Sequence, residues 1–297
     1  MNRSFLFRVL PAALAFAIAT PLANAAAILT GVHWAEPADY QTLKKAGVDF
    51  VVTTVAPDRP ASWAATLDAA QAARIKLVIG SFPSPYVLDA DGSWTITPDG
   101  IRFLAYLRAH APAVMAVLAF NEPYWKHPIT HQASPCGAVT AAQLRSLRAQ
   151  IRRVWPEAKI YDDIGSPAAW APGGSVWRPC MDGKYSDQTG IADYVGIWKY
   201  PFTAAGFTEA ASLAELRAEA RFVTNAMGAT PILLGQAFAG SPGNFVFPNA
   251  AEIRKWNCDL RTIPAGGLSW YVWCQNIYSD YLSNHPDDLR VMTASAC

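Results

Sequence analysis

Charge is scarce in this sequence. Lys, Arg, Asp and Glu make up 16% of its 297 residues and nearly balance, at a net +1. No basic run interleaves with aromatic residues, so nucleic acid is not an expected partner. Neither G-x-G-x-x-G nor G-x-x-x-x-G-K occurs, which removes the usual phosphate-binding loops. Serine catalysis on a G-x-S-x-G elbow is excluded in the same way. The five cysteines contain no C-x-x-C pair and the five histidines do not gather around them. A metal site is therefore not expected, and no cofactor is implied.

Long apolar runs are also missing, apart from the beginning of the chain. There "MNRSFLFR", "VLPAALAFAIATPLA" and "ANA" follow the basic, apolar and small-residue order of a secretory signal peptide. The apolar part is short and broken by Pro11 and Pro21, unlike a membrane span. Residues 1–25 are read as a signal and 26–297 as the mature domain. The protein is thus expected to be exported, periplasmic or extracellular, without stable membrane insertion. Cysteines in such a chain suggest disulfides. Cys136 with Cys180 and Cys258 with Cys297 are the expected pairs, leaving Cys274 over.

What is present is a repeated unit. Eight apolar segments recur, "AAILTGVHWA", "VDFVVTTVA", "KLVIGSF", "AVMAVLAF", "AKIYDDIG", "IADYVGIWKY", "TPILLGQAF" and "GGLSWYVWCQ", nearly all followed by helical sequence. Strands without polar alternation belong to a parallel sheet covered on both faces. Eight βα units in about 270 residues fit a single closed (β/α)₈ TIM barrel. An open doubly wound sheet is the alternative, weakened by the missing phosphate loop. The segment after the fifth strand, "SPAAWAPGGSVWRPCMDGKYSDQTG", reads as a long loop.

The working face of such a barrel lies at the C-terminal strand ends. Those ends carry His33, Trp34 and Glu36; Asn121, Glu122, Tyr124 and Trp125; Asp162 and Asp163; Trp198, Lys199 and Tyr200; Gln236; and Trp270, Tyr271 and Trp273. Flat rings with polar edges, set among carboxylates and amides, suit a carbohydrate. "NEP" at the end of the fourth strand resembles the large clan of (β/α)₈ glycoside hydrolases. That resemblance implies Glu122 as general acid/base and Asn121 as a contact to the sugar 2-hydroxyl. It also implies an aromatic subsite floor near the end of strand eight, at Trp270 or Trp273.

Glycoside hydrolysis needs a second carboxylate, and here the sequence departs from the clan. The clan places a nucleophilic Glu at the end of strand seven, where this chain has Gln236. The second carboxylate is therefore expected at Asp163, Asp162 or Glu36, in that order. Only one of the two aspartates should face the barrel mouth, because side chains alternate along a strand. His33, Trp34, Glu36, Trp198, Tyr200 and Gln236 are further expected sugar contacts, and Phe120, Tyr124 and Trp125 the apolar surroundings of Glu122. Other readings stay open: an inverting enzyme or one using the substrate's own 2-acetamido group as nucleophile, a non-catalytic carbohydrate-binding barrel, and Schiff-base chemistry at Lys199, which requires a desolvated amine. Two bridges among five cysteines predict one free thiol. Titration of denatured, unreduced protein checks this, and five titratable thiols would reject it.

Overall fold

The computed structural model describes residues 28–122, 139–171, 187–240, 244–274 and 278–294. The proposed signal peptide, Tyr124, Trp125, Cys136, Cys180 and Cys297 lie outside them. Eight strands close into one parallel barrel: β1 (Leu29–His33), β2 (Phe50–Val55), β3 (Lys76–Ser81), β4 (Val114–Asn121), β5 (Ile160–Gly165), β6 (Tyr194–Trp198), β7 (Thr230–Gln236) and β8 (Gly267–Tyr271). Each pairs in parallel with its sequence neighbours, and β1 pairs with β8 to complete the ring.

Helices α1 (Tyr40–Lys45), α2 (Pro60–Ala73), α3 (Pro98–Ala109), α4 (Ala141–Val154), α5 (Pro167–Trp170), α6 (Glu209–Phe222), α7 (Ala250–Arg261) and α8 (Pro286–Thr293) accompany the strands. Their starts are written locally. Thr97 accepts from the Gly100 amide at 3.1 Å. Thr140 and Gln143 bond each other's backbone amides, as do Asn249 and Glu252, so each pair satisfies amides that a helix start otherwise leaves unpaired. Pro60, Pro98, Pro167 and Pro286 open four of the helices, where a missing N–H costs nothing. The segment expected to be a loop after β5 holds the short helix α5; residues 172–186 of it lie outside the described residues.

Asp193, just before β6, fastens the N-terminal end of the barrel. It receives Arg148 at 2.7 Å, Arg152 at 3.0 Å and the Ile160 amide at 2.9 Å. Inside the barrel, Phe50, Val52, Val78, Ala116, Leu118, Tyr161, Ile232 and Leu234 form one cluster, and a larger apolar layer lies between sheet and helices. The interior is filled by bulky side chains opposite glycines. A Cβ on Gly31 would overlap the Phe50 ring.

Cys258, on α7, is disulfide-bonded, and its partner lies outside the described residues; Cys274 is free. Gly31→Ala is expected to destabilise the fold by roughly 1–3 kcal/mol through overpacking, measured by urea unfolding. Adding Phe50→Leu should recover part of that loss as a coupling energy. Purely additive effects would mean that the two residues do not compete for space.

Candidate active site

The C-terminal mouth is shaped first by an irregularity in β4. Its register against β5 shifts between Leu118 and Phe120, as an inserted residue does. Leu118 faces the barrel interior, whereas Ala119 and Phe120 both pack into the outer layer. Phe120 meets Trp94 edge-on at 6.0 Å. The displaced Phe120 amide donates to Asp162 Oδ1 at 3.0 Å. Beyond the shift stand Asn121, exposed on the rim, and Glu122, half-buried. Glu122 has a left-handed backbone (φ 54°) and donates its amide to the Asp163 carbonyl at 2.7 Å. Left-handed φ is uncommon in a non-glycine residue and is often found where function fixes the backbone.

The two aspartates separate as strand alternation requires. Asp162 is buried on the helix side, near Arg148 and Asp193. Burial, with the nearby Asp163 adding to it, pushes its carboxyl well above the usual range despite the amide bond from Phe120. This corrects its assignment to the catalytic set: it faces away from the mouth and holds the β4 irregularity in place.

Asp163 faces inward. Tyr161 donates its hydroxyl to Asp163 Oδ1, and His33 Nε2 stands 3.7 Å from Oδ2. His33 is itself fully buried and bonds Ser269 through Nδ1 at 2.9 Å. It therefore lies beneath the mouth as a support for Asp163, where no sugar reaches. Gly196 on β6 makes this cluster possible, because a Cβ there would overlap both Asp163 Oδ1 and the Tyr161 hydroxyl.

Above the aspartate lies an aromatic group that sequence reading assigned only in part. Tyr200 stacks with Trp198 (6.5 Å, 16°) and Tyr271 (6.1 Å, 26°), while Phe238 and Tyr278 close the group. Burial pushes the Tyr200 hydroxyl well above its usual pKa, and Tyr271, Asp163, Tyr278 and Glu122 add to the shift in that order. Tyr200 therefore stands within electrostatic reach of both carboxylates. Tyr271 ends β8, so its strand-end position is the signal that marks it. Tyr278 carried no periodic signal.

Other expected sugar contacts are corrected. Trp270 is fully buried, and its ring fills the space over Gly235, where a Cβ would lie 2.6 Å away. Trp273 is buried too, and donates its indole N–H to Asp39 at 2.7 Å. Neither offers a face to a ligand. Gln236 continues the inward parity of Ile232 and Leu234 but is wholly buried. Its carbonyl accepts from the Phe202 amide at 3.0 Å, and its amide donates to the Phe202 carbonyl at 2.9 Å and the Val246 carbonyl at 3.0 Å. All its polar groups are occupied, so it is a structural clasp. Phe120 packs into the outer layer against Trp94, and Lys199 pairs with Glu215 of α6 rather than lying desolvated. Trp34 (φ 61°) and exposed Glu36 line a cavity beside the mouth.

No family model and no curated protein sequence matches the chain; solved structures do. The β-1,4-D-mannanase of Cryptopygus antarcticus superposes with a TM-score of 0.58 at 13% identity, covering 91% of each chain. Fungal β-1,4-galactanases give 0.59 at 15% identity, over 89% of this chain and 98% of theirs. The endo-1,4-β-mannanase of Eisenia fetida gives 0.54 at 12% identity, over 91% and 92%. The chain thus shares its (β/α)₈ fold with these structures.

The buried Asp162 carboxyl makes a pH prediction. Its folded-state pKa lies above the free value of 3.8, so the native state keeps a proton that the unfolded chain has already lost. The resulting stabilisation is complete below that value and declines as pH rises through the folded-state pKa. Asp162→Asn keeps the acceptor for the Phe120 amide and removes the titration. Urea unfolding between about pH 4 and pH 8 should then lose this decline. The same pH slope in wild type and variant would show that Asp162 titrates as it does in the unfolded chain.

Proposed function

We propose that the protein is an exported glycoside hydrolase in which Glu122 is the general acid and Asp163 the second carboxylate. The observation that carries this reading is their shared anchoring. Glu122 closes β4 through its amide bond to the Asp163 carbonyl, and the half-buried Tyr200 lies within electrostatic reach of both carboxylates. The glycosidase-like barrel supports the same reading, and the resemblance of "NEP" at the end of β4 gives Glu122 its role.

In this mechanism Glu122 protonates the leaving oxygen as the glycosidic bond breaks. Asp163 is a short side chain, recessed to 6% exposure and already bonded by Tyr161. That position suits a base acting on water better than a nucleophile reaching the anomeric carbon. Water attacks the anomeric carbon, its proton passes to Asp163, and the sugar is released with inverted configuration. The buried His33 and Tyr161 hold Asp163 in place. Gln236 takes no part in the bond-breaking step.

The alternative, a carbohydrate-binding protein, is favoured by one observation: the strand-seven position of the clan's nucleophile holds a clasped amide. Activity separates the two. Glu122→Gln and Asp163→Asn should each lower hydrolysis at least about a hundredfold while leaving saccharide binding measurable by calorimetry. Proton NMR of the first-formed sugar should show inversion. Unchanged turnover in either variant, or retained configuration, would reject the assigned roles. Binding without hydrolysis in the wild type would favour the alternative.

A further inference from the structure

Beside the aromatic mouth, a cavity of about 500 Å³ opens between the ends of β1 and β2 and the first turns of α2. Trp34, Glu36, Thr54, Arg59, Ala65 and Cys274 are among its walls. We propose that this cavity binds a second, neutral sugar unit of the saccharide whose reacting unit sits at Glu122 and Asp163. The proposal rests on the hydrolase reading and extends it: the substrate is an oligo- or polysaccharide, and its chain runs over β1 and β2.

Three observations lead there. The volume falls within the roughly 300–1,000 Å³ of small-ligand sites. Trp34 joins the cavity to the mouth, since it lines the cavity directly after His33, whose ring meets Tyr271 edge-on at 5.4 Å, and Tyr271 stacks with Tyr200. The left-handed backbone of Trp34, fixed by its amide bond to the Val52 carbonyl at 2.8 Å, sets the ring at this junction. An aromatic wall next to a polar rim suits the apolar face of a sugar.

The charges then select among sugars. Arg59 offers only donors, Glu36 only acceptors when ionised, and Thr54 both. A neutral ring of hydroxyls can bond all three. A uronic acid would gain Arg59 but face the Glu36 carboxylate, and a cationic amino sugar would meet the reverse.

Cys274 supplies a direct readout, because it is free and lines the cavity. The experiment follows iodoacetamide labelling of Cys274 by mass spectrometry in Glu122→Gln protein. The probes are β-1,4-linked manno-, galacto- and gluco-oligosaccharides and the corresponding monosaccharides. An oligosaccharide that binds should slow labelling about tenfold at roughly ten times its Kd, and monosaccharides should not. Ala65→Trp fills the cavity from an exposed helix position. It should lower kcat/KM for that oligosaccharide, relative to an aryl monoglycoside, about tenfold or more, equivalent to about 1.4 kcal/mol of binding. Calorimetric binding with unslowed Cys274 labelling and an unchanged kcat/KM ratio would overturn the cavity proposal and leave the hydrolase reading standing. A lack of both binding and turnover for all these sugars would overturn both.

Discussion

Consecutive residues of a strand face opposite ways, and at Asp162–Asp163 that rule couples the outside of the barrel to its mouth. Asp162 points outward and takes the amide of Phe120, which the irregularity in β4 leaves without a regular ladder partner. Asp163 points inward to Tyr161 and His33, while its own carbonyl receives the Glu122 amide. One dipeptide thus fixes the end of β4 from two sides. Displacing β5 would release Glu122, free a buried backbone amide and scatter the inner polar cluster together. An unpaired buried amide alone costs about 1–3 kcal/mol.

That coupling depends on empty space as much as on contacts. A barrel of eight strands has an interior that side chains must fill, and this one alternates bulk with absence. Phe50 occupies the room left by Gly31, and Asp163 with Tyr161 the room left by Gly196. The second case matters for chemistry. A carboxylate and a phenol lie inside a closed sheet only because the neighbouring strand gives up its side chain there. Their polar atoms then satisfy one another in a region that excludes most water, and His33, held by Ser269, lines the remaining side.

The fold was legible because its signals are local and repeated. Eight apolar runs, nearly all followed by helical sequence, each state their structure within a few residues. The site was legible where it followed strand parity, as the opposed aspartates show. It was illegible where a residue's surroundings come from distant parts of the chain. Trp270 and Trp273 have the composition of a sugar platform, yet one fills the gap over Gly235 and the other bonds Asp39. The β4 irregularity turns Phe120 into the outer layer, and no sequence pattern announces an inserted strand residue. Tyr278 reaches the mouth from beyond the last strand, outside any period.

Gln236 shows why the departure from the clan is more than one changed functional group. Its amide NH₂ donates to the Phe202 and Val246 carbonyls, while its carbonyl takes the Phe202 amide. These bonds tie the end of β7 to the segments that follow β6 and β7. A carboxylate there has no donor to offer those two carbonyls when ionised. It would stand buried against their partial negative charges, an arrangement that drives a carboxyl to keep its proton. A protonated acid cannot act as a nucleophile. The strand-seven position is therefore built around an amide, and a second carboxylate, where hydrolysis needs one, has to come from a strand whose neighbour leaves room for it. The strand meeting that requirement here is β5, beside Gly196.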